Sequence, residues 1–232
     1  MTPWLLRMRW LDLCFLHWAV PAETIQASLP AGVEVDTWQG QAYLGVVPFR
    51  MEDVAPRGWP AVPGLSAFPE LNLRTYVKVN GERGVWFYSL DVTQPLAAAL
   101  ARRLFHLPYR EARMWVSREG DVTRYASVRT DERTGAGAFA GAYRPVGEPL
   151  RPAADSLEHW LTDHLRLFSA DRAGHLYRGR IHHHPWPLRR AEAEVRVNTL
   201  AQPLGVTLDG SPHALYAERL EVRAWWRDQL TS

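Results

Sequence analysis

A period-two alternation of polar and apolar side chains over residues 70–79 is the strongest pattern in the chain. One face of the strand that it predicts carries Thr75 and four aliphatic residues. Successive residues of a strand point to opposite faces, so the polar residues are presented together. This row faces either water or a polar cavity, and the function depends on which. The polar row consists of Glu70, Asn72, Arg74, Tyr76 and Lys78.

Similar patterns elsewhere predict many strands and few helices. The Asn80-Gly81 pair predicts a tight hairpin into a strand over residues 84–92, and Gly120 lies in a second hairpin between strands 111–118 and 122–129. Helices are expected over residues 21–29, over Pro95–Phe105, and for about ten residues after a capping pattern of Asp155 and Glu158. Further strands are predicted over residues 9–18, 33–38, 41–51, 176–184, 192–198 and 215–226.

Short, scattered helices disfavour a parallel sheet with regular helical crossovers. The pattern instead favours an α+β fold that is mainly antiparallel β, with a curved sheet closing into a barrel and a few helices outside it. A length of 232 residues fits a single domain over residues 1–232, since barrels and sandwiches often reach this size as one unit.

Composition excludes several classes of partner. The net charge is only +2 and acidic residues are interleaved with arginine, whereas nucleic-acid binders cluster their cations, so no nucleic acid is expected. No apolar run approaches the ~18 residues of a membrane helix, so no membrane is expected either. Cys14 is the single cysteine, which excludes an internal disulfide and suits the cytoplasm. The oligomeric state stays open.

Four spaced motifs resemble the YqjF-like proteins, a bacterial family of unknown function. They are Phe15–Pro21 (FLHWAVP), residues 45–76 (GVVPFRM … PGLSAFPELNLRTY), Phe105–Met114 (FHLPYREARM) and His184–Leu188 (HPWPL). The resemblance spans nearly the whole chain, in the right order. It implies a fold similar to acetoacetate decarboxylase, a cone-like β-barrel with a pocket inside.

The same resemblance raises a question about lysine chemistry. Acetoacetate decarboxylase forms a Schiff base on a buried lysine, and the resemblance implies a position for it near Pro108–Arg110. No lysine stands there, and Lys78 is the only lysine of the chain, close to a hairpin turn. A fold does not carry its chemistry without the residues that perform it. We therefore expect no Schiff-base decarboxylase activity and no cofactor.

The candidate site residues lie in the three longer motifs. Arginine suits a carboxylate or phosphate ligand, and a carboxyl, imidazole or phenol group can transfer a proton. The pattern fits a small-molecule pocket, a lysine-independent enzyme, or a structural network of ion pairs in a barrel filled by side chains. The catalytic candidates are Glu70, His106 and Tyr109, and the ligand-binding candidates are His17, Arg50, Asn72, Arg74 and Arg113.

A histidine run near residue 183 is the one feature that suggests a metal. His182 and His184 would share a face of a strand. Two histidines alone do not make a site, because a structural zinc ion takes four ligands and a catalytic one takes three. The sequence therefore predicts no metal site.

Overall fold

The computed structural model describes residues 3–130 and 136–231, and β-strands dominate it. In the described ranges, the strands are connected by three helices, α1 Ala22–Ala27, α2 Pro95–Phe105 and α3 Leu157–Thr162, and by a 3-10 turn at Gln202–Leu204. The strands are β1 Leu6–Val20, β2 Glu34–Val35, β3 Ala42–Pro56, β4 Phe68–Val79, β5 Glu82–Val92, β6 Tyr109–Glu119, β7 Val122–Arg129, β8 Ala138–Val146, β9 Arg166–Ala170, β10 Leu176–His183, β11 Leu188–Asn198, β12 His213–Ala224 and β13 Asp228–Gln229.

Nine of these strands close into a mixed barrel. The ring runs β4-β5-β6-β7-β8-β11-β12-β1-β3 and returns to β4. All its pairs are antiparallel except β5 with β6, where Leu90 pairs with Tyr109 in parallel. This barrel is filled by side chains, with Leu71, Tyr125 and Tyr216 among the buried residues of its apolar cluster. The expected barrel architecture is confirmed, with one parallel step that the sequence did not indicate.

Two further strands close a second ring against the same wall. Strand β9 pairs in parallel with β5 at Val85 and Leu167, β10 pairs with β9, and β10 also pairs with β12 at residues 181–183. A second circuit, β4-β5-β9-β10-β12-β1-β3, results. Strands β12, β1, β3, β4 and β5 are common to both rings. The shared strands are therefore covered on both faces.

Strand β4 belongs to both rings, so both faces of its alternating sequence are buried. Its apolar side, with Leu71 and Leu73, packs into the cluster that fills the nine-strand barrel. Its polar side, with Glu70 and Asn72, is also buried, because it faces the second ring instead of water. The apolar face of β4 therefore lines the interior of the nine-strand barrel, and its polar face lines the interior of the second ring.

Several local predictions needed correction. The strand expected over residues 33–38 is limited to Glu34–Val35, because it meets only the end of β4. Helix α3 has six residues, and Ser156 is its N-cap, its Oγ accepting from the backbone N of His159 at 3.2 Å. The chain leaves this helix early because Arg166 already begins β9, which the sequence did not indicate. Within residues 3–130 and 136–231, no helix is long and apolar enough to cross a membrane.

Candidate functional site

A cavity of about 150 Å³ lies inside the second ring. All seven strands of that ring contribute to its wall. Most of the lining is apolar or aromatic, with Trp10, Phe49, Phe87 and Trp186 among it. A few polar groups interrupt this surface, which is the usual make-up of a small-molecule site. The polar and charged lining residues are Glu70, Asn72, Arg74, Tyr109, Thr162, His164, Arg166, Arg180 and Arg227.

The polar row of β4 enters this cavity at three positions. Glu70, Asn72 and Arg74 line it, and Glu70 and Asn72 are 2% and 4% exposed. Tyr76, next in the row, is fully buried beyond the cavity wall. Lys78 ends the row on the surface, where its Nζ lies 2.9 Å from Oδ1 of Asp36. One strand therefore runs from an enclosed polar wall to a partly exposed lysine that is paired with the buried Asp36.

Glu70 is the carboxyl group of the cavity wall. The Tyr109 hydroxyl and the Asn72 side chain hydrogen-bond to it. Burial raises its pKa to about 8, from an ordinary 4.5, and these two hydrogen bonds only partly oppose that rise. Across the described residues, Oε2 of Glu70 and Oδ1 of Asn72 have no hydrogen-bond partner. At neutral pH the group is mainly a neutral carboxylic acid.

A buried ion pair between Asp91 of β5 and Arg129 of β7 acts on Glu70. Nε of Arg129 lies 3.0 and 2.9 Å from the two carboxylate oxygens of Asp91, and Nη2 of Arg129 donates to Ser89. Both side chains of the pair are almost fully buried. The Asp91 charge contributes to the raised pKa of Glu70. No local sequence pattern indicates this pair, since an isolated Asp and an Arg 38 residues later give no signal.

Arg74 has an unusual environment for a half-buried cation. Its Nη2 donates to the Tyr76 hydroxyl at 3.3 Å, and its guanidinium lies 5.1 Å from the ring centre of Phe15. Its Nε is buried without a partner, and no carboxylate lies within ion-pair distance of it in the described part of the chain. Arginines in a protein interior are normally paired with an acid. Arg74 thus presents an uncompensated charge to the cavity.

Two histidines stand close to this arginine. Tyr76 must donate its single hydroxyl hydrogen to the Leu161 carbonyl, 2.7 Å away, because a carbonyl only accepts. His17, 2.6 Å from the same hydroxyl, therefore donates from Nε2. His164 likewise donates from Nε2 to the Trp160 carbonyl at 2.6 Å. Burial lowers the pKa of His17 well below its usual value and that of His164 to about 3, so both are neutral. His164 lines the cavity, which the sequence did not indicate, whereas His17 lies behind Tyr76.

Three other predicted site residues lie outside the cavity wall, which corrects the expectation that they would share it. Arg50 is held by Asp12, with Nη2 2.7 Å from Oδ2, because a bulge in β1 buries that carboxylate against it. Arg113 is exposed on β6. His106 caps α2 in a left-handed conformation, and its Nε2 lies 2.8 Å from Nη2 of Arg227, which does line the cavity.

Three further arginines line the cavity, and two of them differ from Arg74 in having a carboxylate partner. Arg166 has a carboxylate partner in Glu82 at 3.4 Å, and Arg180 has one in Asp228 at 3.5 Å. Arg227 stacks over the Tyr177 ring at 4.4 Å. The charges of Arg166 and Arg180 are therefore partly compensated. Arg227 has no carboxylate within ion-pair distance in the described part of the chain, and its Nε, like that of Arg74, is buried without a partner. The arrangement can attract an anion, hold its acidic group at Arg74 and present a neutral acid, Glu70, to another oxygen atom.

The fold has close counterparts among solved structures. The enduracididine biosynthesis enzyme MppR matches with a TM-score of 0.68 at 12% identity, covering 100% of this chain and 89% of that one. An acetoacetate decarboxylase-like enzyme from Sphingomonas wittichii RW1 has a TM-score of 0.67 at 13% identity, covering 100% and 95%. Acetoacetate decarboxylase from Legionella pneumophila has a TM-score of 0.67 at 12% identity, covering 99% and 88%. At such identities the similarity establishes the fold.

Sequence comparison identifies the family. The chain is 43% identical over 223 residues to the uncharacterized protein YqjF of Bacillus subtilis strain 168, covering 96% of this chain and 91% of that protein. The family model DUF2071, described as an uncharacterized conserved protein, matches residues 7–221. The predicted resemblance is thus confirmed, and the chain belongs to the DUF2071 family, on an acetoacetate decarboxylase-like barrel.

Proposed function

We propose that the cavity binds a small organic anion, without Schiff-base chemistry. The acidic group of the ligand lies on Arg74 and its carbon skeleton lies against the aromatic wall around Trp10 and Phe87. The observation that carries this proposal is the uncompensated guanidinium of Arg74 in a largely apolar cavity. A ligand carboxylate would supply the partner that the protein chain does not, through the planar donor edge of the guanidinium.

The surroundings of the only lysine support the second part of the proposal. Lys78 pairs with Asp36 at the surface end of β4 and does not line the cavity. At the position implied for a catalytic lysine, Tyr109 lines the cavity instead and hydrogen-bonds to Glu70. A covalent imine would require an amine at the cavity wall, and the wall offers arginines, which stay protonated.

A structural neighbour supports the class of ligand. MppR has been solved with pyruvate bound, and pyruvate is a small organic anion. The rival hypothesis, a barrel filled by side chains, describes the nine-strand ring, whose interior is a packed apolar cluster. It does not account for the second ring, where the polar row of β4 lines a cavity.

Thermal unfolding of Arg74→Ala beside wild type tests the proposal. The two proteins are melted with and without a panel of small carboxylates and phosphates, and Arg113→Ala, an exposed arginine outside the cavity, is the matched control. We expect a carboxylate to raise the melting temperature of wild type and of Arg113→Ala but not of Arg74→Ala. Without ligand, Arg74→Ala should melt close to wild type, because the cation that it removes has no ion-pair partner.

Two results would contradict the proposal. One is a ligand shift that persists in Arg74→Ala. The other is a large loss of melting temperature in Arg74→Ala with no ligand shift in either protein, which is the behaviour of an arginine that only holds strands together.

A further inference from the structure

The surroundings of Glu70 leave one of its carboxyl oxygens without a partner. Tyr109 and Asn72 both act on this carboxyl group, and their hydrogen bonds oppose the rise in its pKa, so both donate to it. Oε2 of Glu70 is buried and has no hydrogen-bond partner among the described residues. A hydrogen of the neutral acid on Oε2 would therefore be free to bond to a ligand.

Asn72 fits the same assignment. An amide that donates from Nδ2 to Glu70 keeps its Oδ1 as a free acceptor, and Oδ1 of Asn72 is indeed buried without a partner. Along β4 the cavity wall thus presents a neutral O–H donor, an amide acceptor and a cation, at positions 70, 72 and 74. Each unsatisfied buried polar atom is costly, and a ligand of matching pattern removes that cost.

We propose that Glu70 is a neutral hydrogen-bond donor that binds a carbonyl oxygen of the ligand through its Oε2 hydrogen, so that the cavity takes an oxo acid. The carboxylate of the oxo acid lies on Arg74, and this inference rests on the proposed function. Positions 70 and 74 are about 13 Å apart along a strand, at ~3.3 Å per residue, and the two long side chains close part of that gap. Several carbon atoms can therefore separate the carboxylate from the carbonyl.

The charges around Glu70 favour its neutral form. Asp91 lies on the neighbouring strand and Arg129 on β7 holds it by two contacts, while Arg110 also acts on Asp91. The Tyr125 hydroxyl donates to the backbone carbonyl of Glu70 at 2.9 Å and stays un-ionised, since burial raises its pKa well above the usual 10. An ionised Glu70 would be repelled by the Asp91 charge and would itself repel an anionic ligand. A carboxylic acid kept neutral in an apolar pocket can instead donate to a substrate oxygen.

Three probes separate the contribution of the ligand's carboxylate from that of its carbonyl group. They are 4-oxo-4-phenylbutanoate, which has both groups, 4-phenylbutanoate, which lacks the carbonyl, and butyrophenone, which lacks the carboxylate. Affinities are measured by calorimetry for the full chain at about pH 6.5 and about pH 9.5, on either side of the Glu70 transition near 8. At the lower pH we expect wild type to bind the oxo acid about 5-fold more tightly than 4-phenylbutanoate, the effect of one hydrogen bond to a neutral group.

The variant Glu70→Gln gives the sharpest expectation. Glutamine has the shape of the neutral acid, accepts from Tyr109 and Asn72 at its oxygen, and donates from its amide at the place of Oε2. It should keep the preference for the oxo acid at both pH values, whereas wild type should lose it at the higher pH. Tyr109→Phe should move the wild-type loss to higher pH, because it removes a hydrogen bond that lowers the Glu70 pKa.

The outcomes distinguish this inference from the proposed function. Equal binding of the oxo acid and 4-phenylbutanoate by wild type, still dependent on Arg74, overturns the role of Glu70 and leaves the anion site intact. A carbonyl preference that Glu70→Gln abolishes, or that wild type keeps at the higher pH, also overturns it. Failure of both carboxylates to bind overturns the anion site and the inference together.

Discussion

The hydroxyl group of Tyr76 lies 2.6 Å from Nε2 of His17 and 2.7 Å from the carbonyl oxygen of Leu161. It thereby joins β1, β4 and the end of α3 behind the cavity. Tyr76→Phe leaves the imidazole N–H and the carbonyl without a partner in a buried site. We expect a loss of about 1–3 kcal/mol in the free energy of unfolding, measured by denaturant titration. Tyr88→Phe removes a hydroxyl that bonds to Ser28 at an exposed position, and should cost much less.

Removal of one partner from the buried ion pair near Glu70 should be more severe. Arg129→Ala removes the hydrogen-bonded ion-pair partner of the buried Asp91, and breaking such a pair typically costs ~3–5 kcal/mol. Arg144→Ala is the control, because Arg144 forms a pair with Glu192 on the surface at 2.7 Å, which is no longer than the 2.9 Å of the buried pair. Such exposed pairs contribute little to stability, because water screens the two charges. Equal losses in the two variants would show that burial does not determine the strength of the Asp91 pair.

The raised pKa of Glu70 predicts a specific pH dependence of stability. The unfolded chain releases this proton near 4.5 and the folded protein near 8, so between these values the folded state binds more protons. The free energy of unfolding therefore falls as pH rises through this window, by on the order of 5 kcal/mol for this group. Glu70→Gln cannot ionise and should become progressively more stable than wild type from about pH 5 to about pH 8. Denaturant titrations at several pH values check this, and parallel curves for the two proteins would contradict it.

The position of Lys78 predicts the result of a trapping experiment. Borohydride added with a keto acid should leave the mass of the intact protein unchanged, because the lone lysine lies outside the cavity in a pair with Asp36. Lys78→Arg, which keeps the charge next to Asp36, should bind carboxylates as wild type does. A reduced imine located on Lys78 by peptide mass spectrometry would reverse this conclusion.

Local sequence patterns identified the strands that build the cavity wall. The alternation of residues 70–79 predicted a shared polar face for Glu70, Asn72 and Arg74, and the three line one cavity. The hairpins at Gly81 and Gly120 were equally visible, because turn geometry depends on a few neighbouring residues. The family resemblance predicted the barrel. The assignment of these three residues to a ligand stays a prediction.

Contacts between residues that are far apart in the chain could not be predicted from the sequence. Arg50 lies in the family motif over residues 45–76, yet it pairs with Asp12 from another strand. His164 and the Asp91–Arg129 pair carry no local pattern, and they reach the site through strand pairings far apart in sequence.

The sequence by itself determined that β4 has one polar and one apolar face, since the side-chain period of a strand is a local property. Only the tertiary structure decided that the polar face is enclosed. Strands β9 and β10 close the second ring through a short parallel pairing with β5 and three residue pairs with β12. That closure excludes water from Glu70 and raises its pKa, so the chemistry of the site depends on long-range pairing that no local pattern encodes.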